Sequence, residues 1–579
     1  MTVPGRGGLF AFALAAPLAC GGAGSSPSTP QETPASAIAY SDVTERSGVR
    51  FLDTHGRPGT DKRFLFETIG GGVALLDQDG DGDLDIFVAG GDPQDGTGPA
   101  QSRLFANRGD ARFDDVTEAL ALDLRRDATG VAVGDVDDDG DEDLYVGAYG
   151  ANALLENRGS TLVDVAPQAG VDHPGFASAV LFADFDGDGD LDLFVGNYLE
   201  WNDHALAVSA EGGTYRGHMV IAGPRGLHGA ADVLFENVGV GPESVRFRDV
   251  TESAGLGESR SFALGAVAAD LTGDGRVDLY VANDSEPNSL FENQGGMRFV
   301  DVGVVSGSAF DASGQAQAGM GVDAGDADGD GDLDLFVTNF SHDHNTYYEQ
   351  HGPGRFSDMS RRAGLFQPSY LHLGFGCTFT DADLDGDLDL VVANGHVFAV
   401  LEDTPLNTTY AQVNQVFENL GEGEFREVPA PWVGPGHPTL VSRGLARGDL
   451  DGDGREDLVV TNLNGPVAVL RNRTPTPPGL VLELRGERSS ARAVGARVEV
   501  ELESGGRIVR HVCAGGSFQS ASCRRIALGV PRGDTVRRIR VHWPWGKEQV
   551  FDGLPLGHRA LLVEGKRDVQ LVPLAVYAD

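Results

Sequence analysis

Basic residues are in short supply in this chain: 44 Lys and Arg stand against 87 Asp and Glu over 579 residues, leaving a formal net charge of −43. A phosphate backbone is repelled by such a surface, which excludes nucleic acid as a partner. Cysteine is scarce too, and four of them are too few for a disulfide-built scaffold. Catalytic signatures are missing: there is no HExxH zinc helix, no G-x-S-x-G elbow and no phosphate-binding glycine loop. An acid-rich chain can be disordered, but 41% hydrophobic residues gathered in tight β-like runs point to a folded one. The length exceeds what one simple core holds and calls for several domains, or for one large repeat architecture with something smaller attached.

What the chain has in excess is aspartate, in one recurring arrangement. It first appears as Asp77-Gln-Asp79-Gly-Asp81-Gly82-Asp83-Leu-Asp85, followed at once by the apolar run Ile86-Phe-Val-Ala89. Carboxylates at positions one, three, five and nine, a glycine at six for the sharp turn and a backbone carbonyl at seven suit a hard cation, since Ca²⁺ takes six to eight oxygens at roughly 2.3 to 2.6 Å. The ligand sets are Asp77, Asp79, Asp81 and Asp85; Asp135, Asp137, Asp139 and Asp143; Asp184, Asp186, Asp188 and Asp192; Asp270, Thr272, Asp274 and Asp278; Asp326, Asp328, Asp330 and Asp334; Asp381, Asp383, Asp385 and Asp389; and Asp449, Asp451, Asp453 and Asp457. Up to seven Ca²⁺ ions are expected, one per copy. The fourth site is the weakest, because it has three carboxylates, a hydroxyl at position three and Arg276 at seven. A solvated acidic turn is the alternative for any single copy. Crowding four or five carboxylates into nine residues without a counter-ion is opposed by like-charge repulsion, which favours metal binding for the set.

The context of the loops narrows their type. An EF-hand needs flanking helices and a glutamate at position twelve, whereas position twelve of the first loop is Val88, inside a strand. Toxin-type nonapeptide repeats follow one another every nine residues, whereas these loops start 49 to 86 residues apart. Sites of the loose extracellular kind bind at roughly 10⁻⁴ to 10⁻³ M, so they fill outside a cell and empty in a cytosol.

Around each loop the apolar runs repeat an order. A glycine-led strand enters, as in Gly70-Gly-Gly-Val-Ala-Leu-Leu76. A second leaves, as in Leu191-Asp-Leu-Phe-Val-Gly196. A third follows, as in Leu234-Phe-Glu-Asn237 and Val416-Phe-Glu-Asn419, and a fourth comes after a short turn, as in Arg112-Phe-Asp-Asp-Val-Thr117. Four short antiparallel strands make a propeller blade. The seventh repeat ends at Asn472 without a fourth strand, and the missing piece stands at the other end, at Tyr40-Ser-Asp-Val-Thr44. The expected fold is therefore all-β: a seven-bladed β-propeller over residues 40–472, closed by its N-terminal strand, then a Pro-rich linker at 473–479 and a small β-sandwich or barrel at 480–579. Residues 1–20 have the layout of an export signal, and 21–39 that of a flexible Gly/Ser/Pro tether. Pro17-Leu18-Ala19-Cys20 resembles a lipobox, departing from it at Pro17 and Leu18, so lipidation at Cys20 would be the route to a membrane.

The strand-loop-strand repeat resembles the FG-GAP (VCBS) repeats of integrin α-subunit propellers, and the layout is similar to bacterial relatives of cartilage acidic protein. The tail resembles the ASPIC/UnbV domain, in Val494-Gly-Ala-Arg-Val498, Gly515-Gly-Ser-Phe-Gln-Ser520, Leu528-Gly529 and Val541-His-Trp-Pro-Trp-Gly546; Ala393-Asn-Gly-His396 is a further run often seen in the family. The resemblance covers nearly all of residues 40–565. It implies a calcium-binding, extracellular or surface-attached protein and leaves the ligand unnamed.

Strand order places all the ions on one face and the variable insertions, at 199–231, 341–346 and 397–413, on the other. Loops that grow on a rigid scaffold are where binding usually resides. His204, His218, His228, His342, His344 and His396 gather there with Trp201, Tyr215, Tyr347 and Tyr348, either as a ligand or transition-metal site or as ordinary polar packing; His342-x-His344 alone has ligand-like spacing. Asn197, Asn283, Asn339, Asn394 and Asn462, five residues beyond each loop, read as strand caps. Cys513 and Cys523 either bridge or stay unpaired. The main reading is an exported adhesion or ligand-binding module for a protein or glycan, with no catalytic residues assigned; the alternative is a hydrolase or lyase acting on extracellular polysaccharide through the 199–231 insertion.

Overall fold

The computed structural model describes residues 37–576, apart from 61, 97, 99, 240–244, 258, 403, 434–438, 491, 545 and 546. The expected export signal, Cys20 and most of the expected tether lie outside the described residues. No described helix is long and apolar enough to cross a membrane.

Seven four-stranded antiparallel blades follow one another, each with an acid loop between its first two strands; blades two and three are joined into one eight-stranded sheet by the pairs Pro174↔Ala151 and Phe176↔Tyr149. In blade one, Val73–Leu76 runs into the loop and Asp85–Val88 leaves it; Arg103–Asn107 and Phe113–Asp115 complete the sheet. Both central strands are buried throughout, because neighbouring blades cover their two faces. Val73, Leu75 and Ile86 pack on Val459 and Val469 of blade seven, while Ala74, Leu76 and Phe87 pack on Val131 and Leu144 of blade two. The apolar layer thus passes without a break across the ends of the repeat region.

Closure follows the expected route. Tyr40–Asp42 pairs antiparallel with the third strand of blade seven in the register Tyr40↔Asn472, Ser41↔Arg471 and Asp42↔Leu470. Trp432–Val433 then pairs in parallel on the outside of Tyr40 and Ser41 and covers the remaining edge.

The C-terminal residues form a sandwich: Ile526–Leu528, Leu480–Arg485, His558–Val563 and Gln570–Pro573 in one sheet, Arg507–His511, Arg497–Leu502, Val536–His542 and Glu548–Asp552 in the other. Alternate residues such as Leu480, Leu482, Val498, Val500, Ile539 and Val541 point into a shared core around Trp543.

One segment of that domain leaves it and enters the ring. Gly515 and Ala514 pair with Val267 and Ala268 of blade four. Val322 of blade five donates to the Ser517 carbonyl at 3.1 Å, and Val131 of blade two to that of Gln519 at 3.0 Å. Ala521 bonds Val73 and Leu75 of blade one, Cys523 donates to Arg447 of blade seven, and the Gln519 amide donates to Ser178 of blade three at 3.1 Å. Phe518, fully buried, meets Phe375 of blade six at 4.9 Å. The segment fills the axial channel and satisfies backbone groups that seven converging inner strands would otherwise leave bare. A Cβ on Gly72 would lie 1.7 Å from the Gln519 carbonyl oxygen, which is why that inner strand opens on glycine.

Candidate metal centres

The loops share one hydrogen-bonded frame. Position four or six places a residue at positive φ, as at Gly80 and Gly82, and the turn brings the position-six N–H back to the position-one carboxylate: Gly82 to Asp77 at 3.2 Å, Gly189 to Asp184 at 3.0 Å, Gly454 to Asp449 at 2.8 Å. Position nine is a clamp. One oxygen of Asp85, Asp143, Asp192, Asp278, Asp334, Asp389 and Asp457 accepts the position-two N–H at 2.9–3.2 Å. The other accepts a third-strand N–H, from Asn107, Asn157, Asn237, Asn293, Gln350, Asn419 and Asn472, at 2.7–3.0 Å.

Those third-strand amides do a second job. Each side chain donates to the position-two carbonyl of the preceding blade, at 2.8–3.1 Å, from Asn157 to Gln78 around to Asn107 to Leu450. Seven bonds form a closed circle through the buried ends of the loops. The recurrent Asn was plain in the sequence, but its partner lies one blade away.

Within this frame the side-chain oxygens converge. Oxygens of Asp77, Asp79 and Asp81, of Asp135, Asp137 and Asp143, of Asp184, Asp186 and Asp192, of Asp326, Asp328 and Asp330, and of Asp381, Asp383 and Asp385 lie within 4.8 Å of one another in each group. One oxygen each of Asp135, Asp137, Asp326 and Asp383 is buried and accepts no hydrogen bond from the chain. Burial, helped by the charges of its neighbours, pushes Asp135 up to about 7 and Asp137 up to about 6. Burial pushes Asp85 to about 7, and Asp143, Asp192, Asp334, Asp389 and Asp457 are raised well above the usual carboxylate range. Orphaned, crowded, acceptor-only oxygens on a rigid turn fit a hard divalent cation.

Two loops differ from the other five. In loop four the Thr272 hydroxyl donates to Asp278 at 2.9 Å and Arg276 pairs with Asp274. In loop seven Arg455 pairs with Asp453, and Arg471 with Asp451.

The C-terminal domain sits on the loop face and grips it with arginines. Arg525 and Arg559 donate to the Gly82 carbonyl at 2.9 and 2.6 Å, Arg510 to that of Gly386 at 2.8 Å and Arg507 to that of Asp330 at 3.0 Å. Arg492 pairs with Glu142 at 2.9 Å, and the Gly529 N–H donates to Asp381 at 2.8 Å. A cavity of about 110 Å³ remains beneath it, lined by Arg447, Asp323, Glu456, Cys513 and Cys523 among others. Both cysteines are unpaired thiols, and burial pushes Cys513 up to about 12 and Cys523 upward, so neither is a ready nucleophile.

The FG-GAP-like repeat model matches residues 77–146, 135–195, 270–337 and 326–392, the FG-GAP repeat model 176–216, and the ASPIC and UnbV model 486–569. The chain carries FG-GAP repeats and an ASPIC/UnbV domain. It is homologous to cartilage acidic protein 1: the Mus musculus protein is 26% identical over 513 residues, 82% of this chain and 70% of the relative, and the Homo sapiens protein 25% identical over 82% and 69%. Among solved structures, the BP39L lectin of Burkholderia pseudomallei aligns with a TM-score of 0.40 at 12% identity, over 70% of this chain and 97% of that one.

On the face away from the FG-GAP loops the insertions pack over the channel mouth. Leu199, Leu227, Val397, Phe398 and Leu401 join the tip residue Phe518, with Trp201, Tyr215 and Phe340 against them. The histidines go to separate partners. His342 faces the Leu406 carbonyl at 2.9 Å and His344 faces Asp358 at 3.3 Å, so the H-x-H spacing does not converge; His204 and His228 stack, with centroids 4.7 Å apart. The His396 Nδ1 accepts the Phe398 N–H at 2.9 Å, so Nε2 carries the proton and donates to Ser341 at 2.8 Å. That tautomer supplies no base to the serine, and burial together with Arg443 holds its pKa down at about 3. Asn197, Asn283, Asn339, Asn394 and Asn462 cap second-strand ends, each side chain donating to a carbonyl before the third strand at 2.7–3.0 Å.

Proposed function

We propose that this is an exported, calcium-stabilised recognition protein whose FG-GAP loops rigidify the ring and whose opposite face binds a protein or glycan. The observation that carries the reading is the character of that opposite face. Phe64 and Phe66 stack at 5.5 Å, Phe66 stacks on Tyr149 at 5.7 Å, and Trp201 meets Phe66 edge-on at 4.9 Å. Tyr149 is 36% exposed, and Leu206, Met219, Leu371 and Val400 are 38–65% exposed on the same face. Rigid aromatics among exposed apolar side chains on a stiff scaffold favour binding. The acid Glu200 in the 199–231 insertion is tied to Arg260 at 2.7 Å, and the buried Asp232 accepts from Asn197 and Ser259. Glu200 and Asp232 are spent on structure, and the exposed Asp203 and Glu211 stand at opposite ends of the helix Asp203–Glu211, too far apart to act as a carboxylate pair, which weighs against the hydrolase or lyase alternative.

Two measurements test the reading. The first is a glycan array and a protein-capture screen with the full chain and its Tyr149→Ala variant. Binding that falls at least tenfold in the variant, with Tm unchanged, supports the assigned face; turnover of an arrayed polysaccharide overturns the binding reading in favour of an enzyme. The second is chelation. At ~10 mM ion, a site with a Kd of roughly 10⁻⁴ to 10⁻³ M contributes about 1.4 to 2.7 kcal/mol, so stripping several sites lowers Tm steeply. An identical melt in chelator removes calcium from the proposal.

A further inference from the structure

The residue just before the clamp amide of the third strand is glutamate in blades two to six (Glu156, Glu236, Glu292, Glu349, Glu418), alanine in blade one (Ala106) and arginine in blade seven (Arg471). This position overlooks the middle of its own loop: Glu156, Glu236, Glu349 and Glu418 add negative charge to the field at the position-three carboxylates Asp137, Asp186, Asp328 and Asp383. In loop two the buried second oxygen of Asp137 is left without a partner in the chain. In loop seven the same position, Asp451, is met by the Arg471 Nε, both side chains being at most 2% exposed. The guanidinium also lies 3.6 Å from Asp453 at position five and reaches Asp110 of blade one at 3.2 Å. Arg455, at position seven, takes the remaining side of Asp453.

We propose that blade seven holds no calcium: the Arg471 guanidinium occupies the cation's place among Asp451 and Asp453 and ties that loop to blade one. The location gives this a purpose. Arg471 is the register partner of Ser41 in the closing N-terminal strand, so the seam of the ring lies directly over it. A tethered cation keeps the seam locked where a loose ion site would open it at low calcium. A planar guanidinium matches two neighbouring carboxylates and, unlike an ion, cannot dissociate.

The inference rests on the calcium reading of the other loops, and the test separates the two. Full-length protein is stripped, reloaded by equilibrium dialysis against calcium alone, and its ions counted. The Asp137→Asn variant is expected to lose one ion, and the Asp451→Asn variant none. Loss of an ion in the latter overturns this inference and leaves the calcium reading intact, whereas a wild-type chain that takes up no calcium overturns both. Because Asp451→Asn unpairs a buried arginine and can fail to fold, hydrogen exchange of the wild type supplies a second readout. Peptides spanning 40–42 and 468–472 should stay protected in chelator while 135–143 loses protection; deprotection of the seam at the same ion concentration overturns the proposal.

Discussion

His55 shows how much of this molecule is settled by single buried groups. Its Nδ1 donates to Asp53 at 3.0 Å and its Nε2 to the Ala128 carbonyl at 2.6 Å, so both ring nitrogens carry protons and the ring is cationic. Burial alone would lower its pKa, but the charge and hydrogen bond of Asp53, with Asp127 beyond, hold it at about 9. The folded value lies above the ordinary 6.5, so the stabilisation is complete below pH 6.5 and is lost as pH rises through about 9. On the order of 3 kcal/mol is at stake. Neighbouring Lys62, pulled down by burial to about 8, titrates in the opposite sense and is common to wild type and variant. The Tm difference between wild type and His55→Gln should therefore be widest near pH 6 and close towards pH 9.5; a constant gap would show the ring to be neutral. Nothing in the sequence marked this residue, because Asp53, Ala128 and Asn464, which binds the His55 carbonyl at 3.0 Å, come from three parts of the chain. The convergence of the loop aspartates was legible for the opposite reason, since each cluster is contained in nine residues.

At the scale of elements, strands and blades were readable because short apolar runs broken by glycine and aspartate are a local property. The axial segment was not. Gly515-Gly-Ser-Phe-Gln-Ser520 stood out as a motif, but its partners are the innermost strands of seven blades, up to about 450 residues away, and no local pattern encodes a channel. Its chemistry is clear afterwards: Gly515, Gly516, Ser517 and Gln519 all take positive φ, turning the chain so that carbonyls and N–H groups face outward all round. Phe518 is the anchor at the far mouth, with none of its surface exposed. Its replacement by Ala should cost about 3 to 5 kcal/mol in denaturant titrations, as for other large-to-small changes at fully packed sites. It should also loosen the insertions that pack on it, which fluorescence of Trp201 can report. A loss below about 1 kcal/mol would mean that the mouth collapses around the gap and that the segment is a filler rather than a pin.

Over the whole molecule, ring closure was legible because a missing fourth strand at one end matched a spare one at the other. The seating of the two domains was not, because the arginines that join them look like ordinary surface charges in the sequence. A Pro-rich linker normally acts as a semi-rigid spacer that holds a domain apart from its neighbour. Here Pro475, Pro477 and Pro478 are exposed and Thr476 is half-buried, while on either side Thr474 is buried in the propeller and Leu480 in the sandwich. Five of the seven loops are held by the second domain: Gly82, Glu142, Asp330 and Gly386 through arginines, and Gly452, whose carbonyl accepts the Ala575 N–H at 2.7 Å. With the axial segment threaded through the ring, the peptide bond at the linker carries almost none of the attachment. A protease site placed at 475–478 and cleaved should therefore leave the two pieces together through gel filtration in calcium. Chelation should weaken the union, since the arginines bind loop carbonyls whose positions an ion would fix. Separation of the pieces in calcium at once after cleavage would mean that the linker, not the threaded segment, holds the domain on the ring.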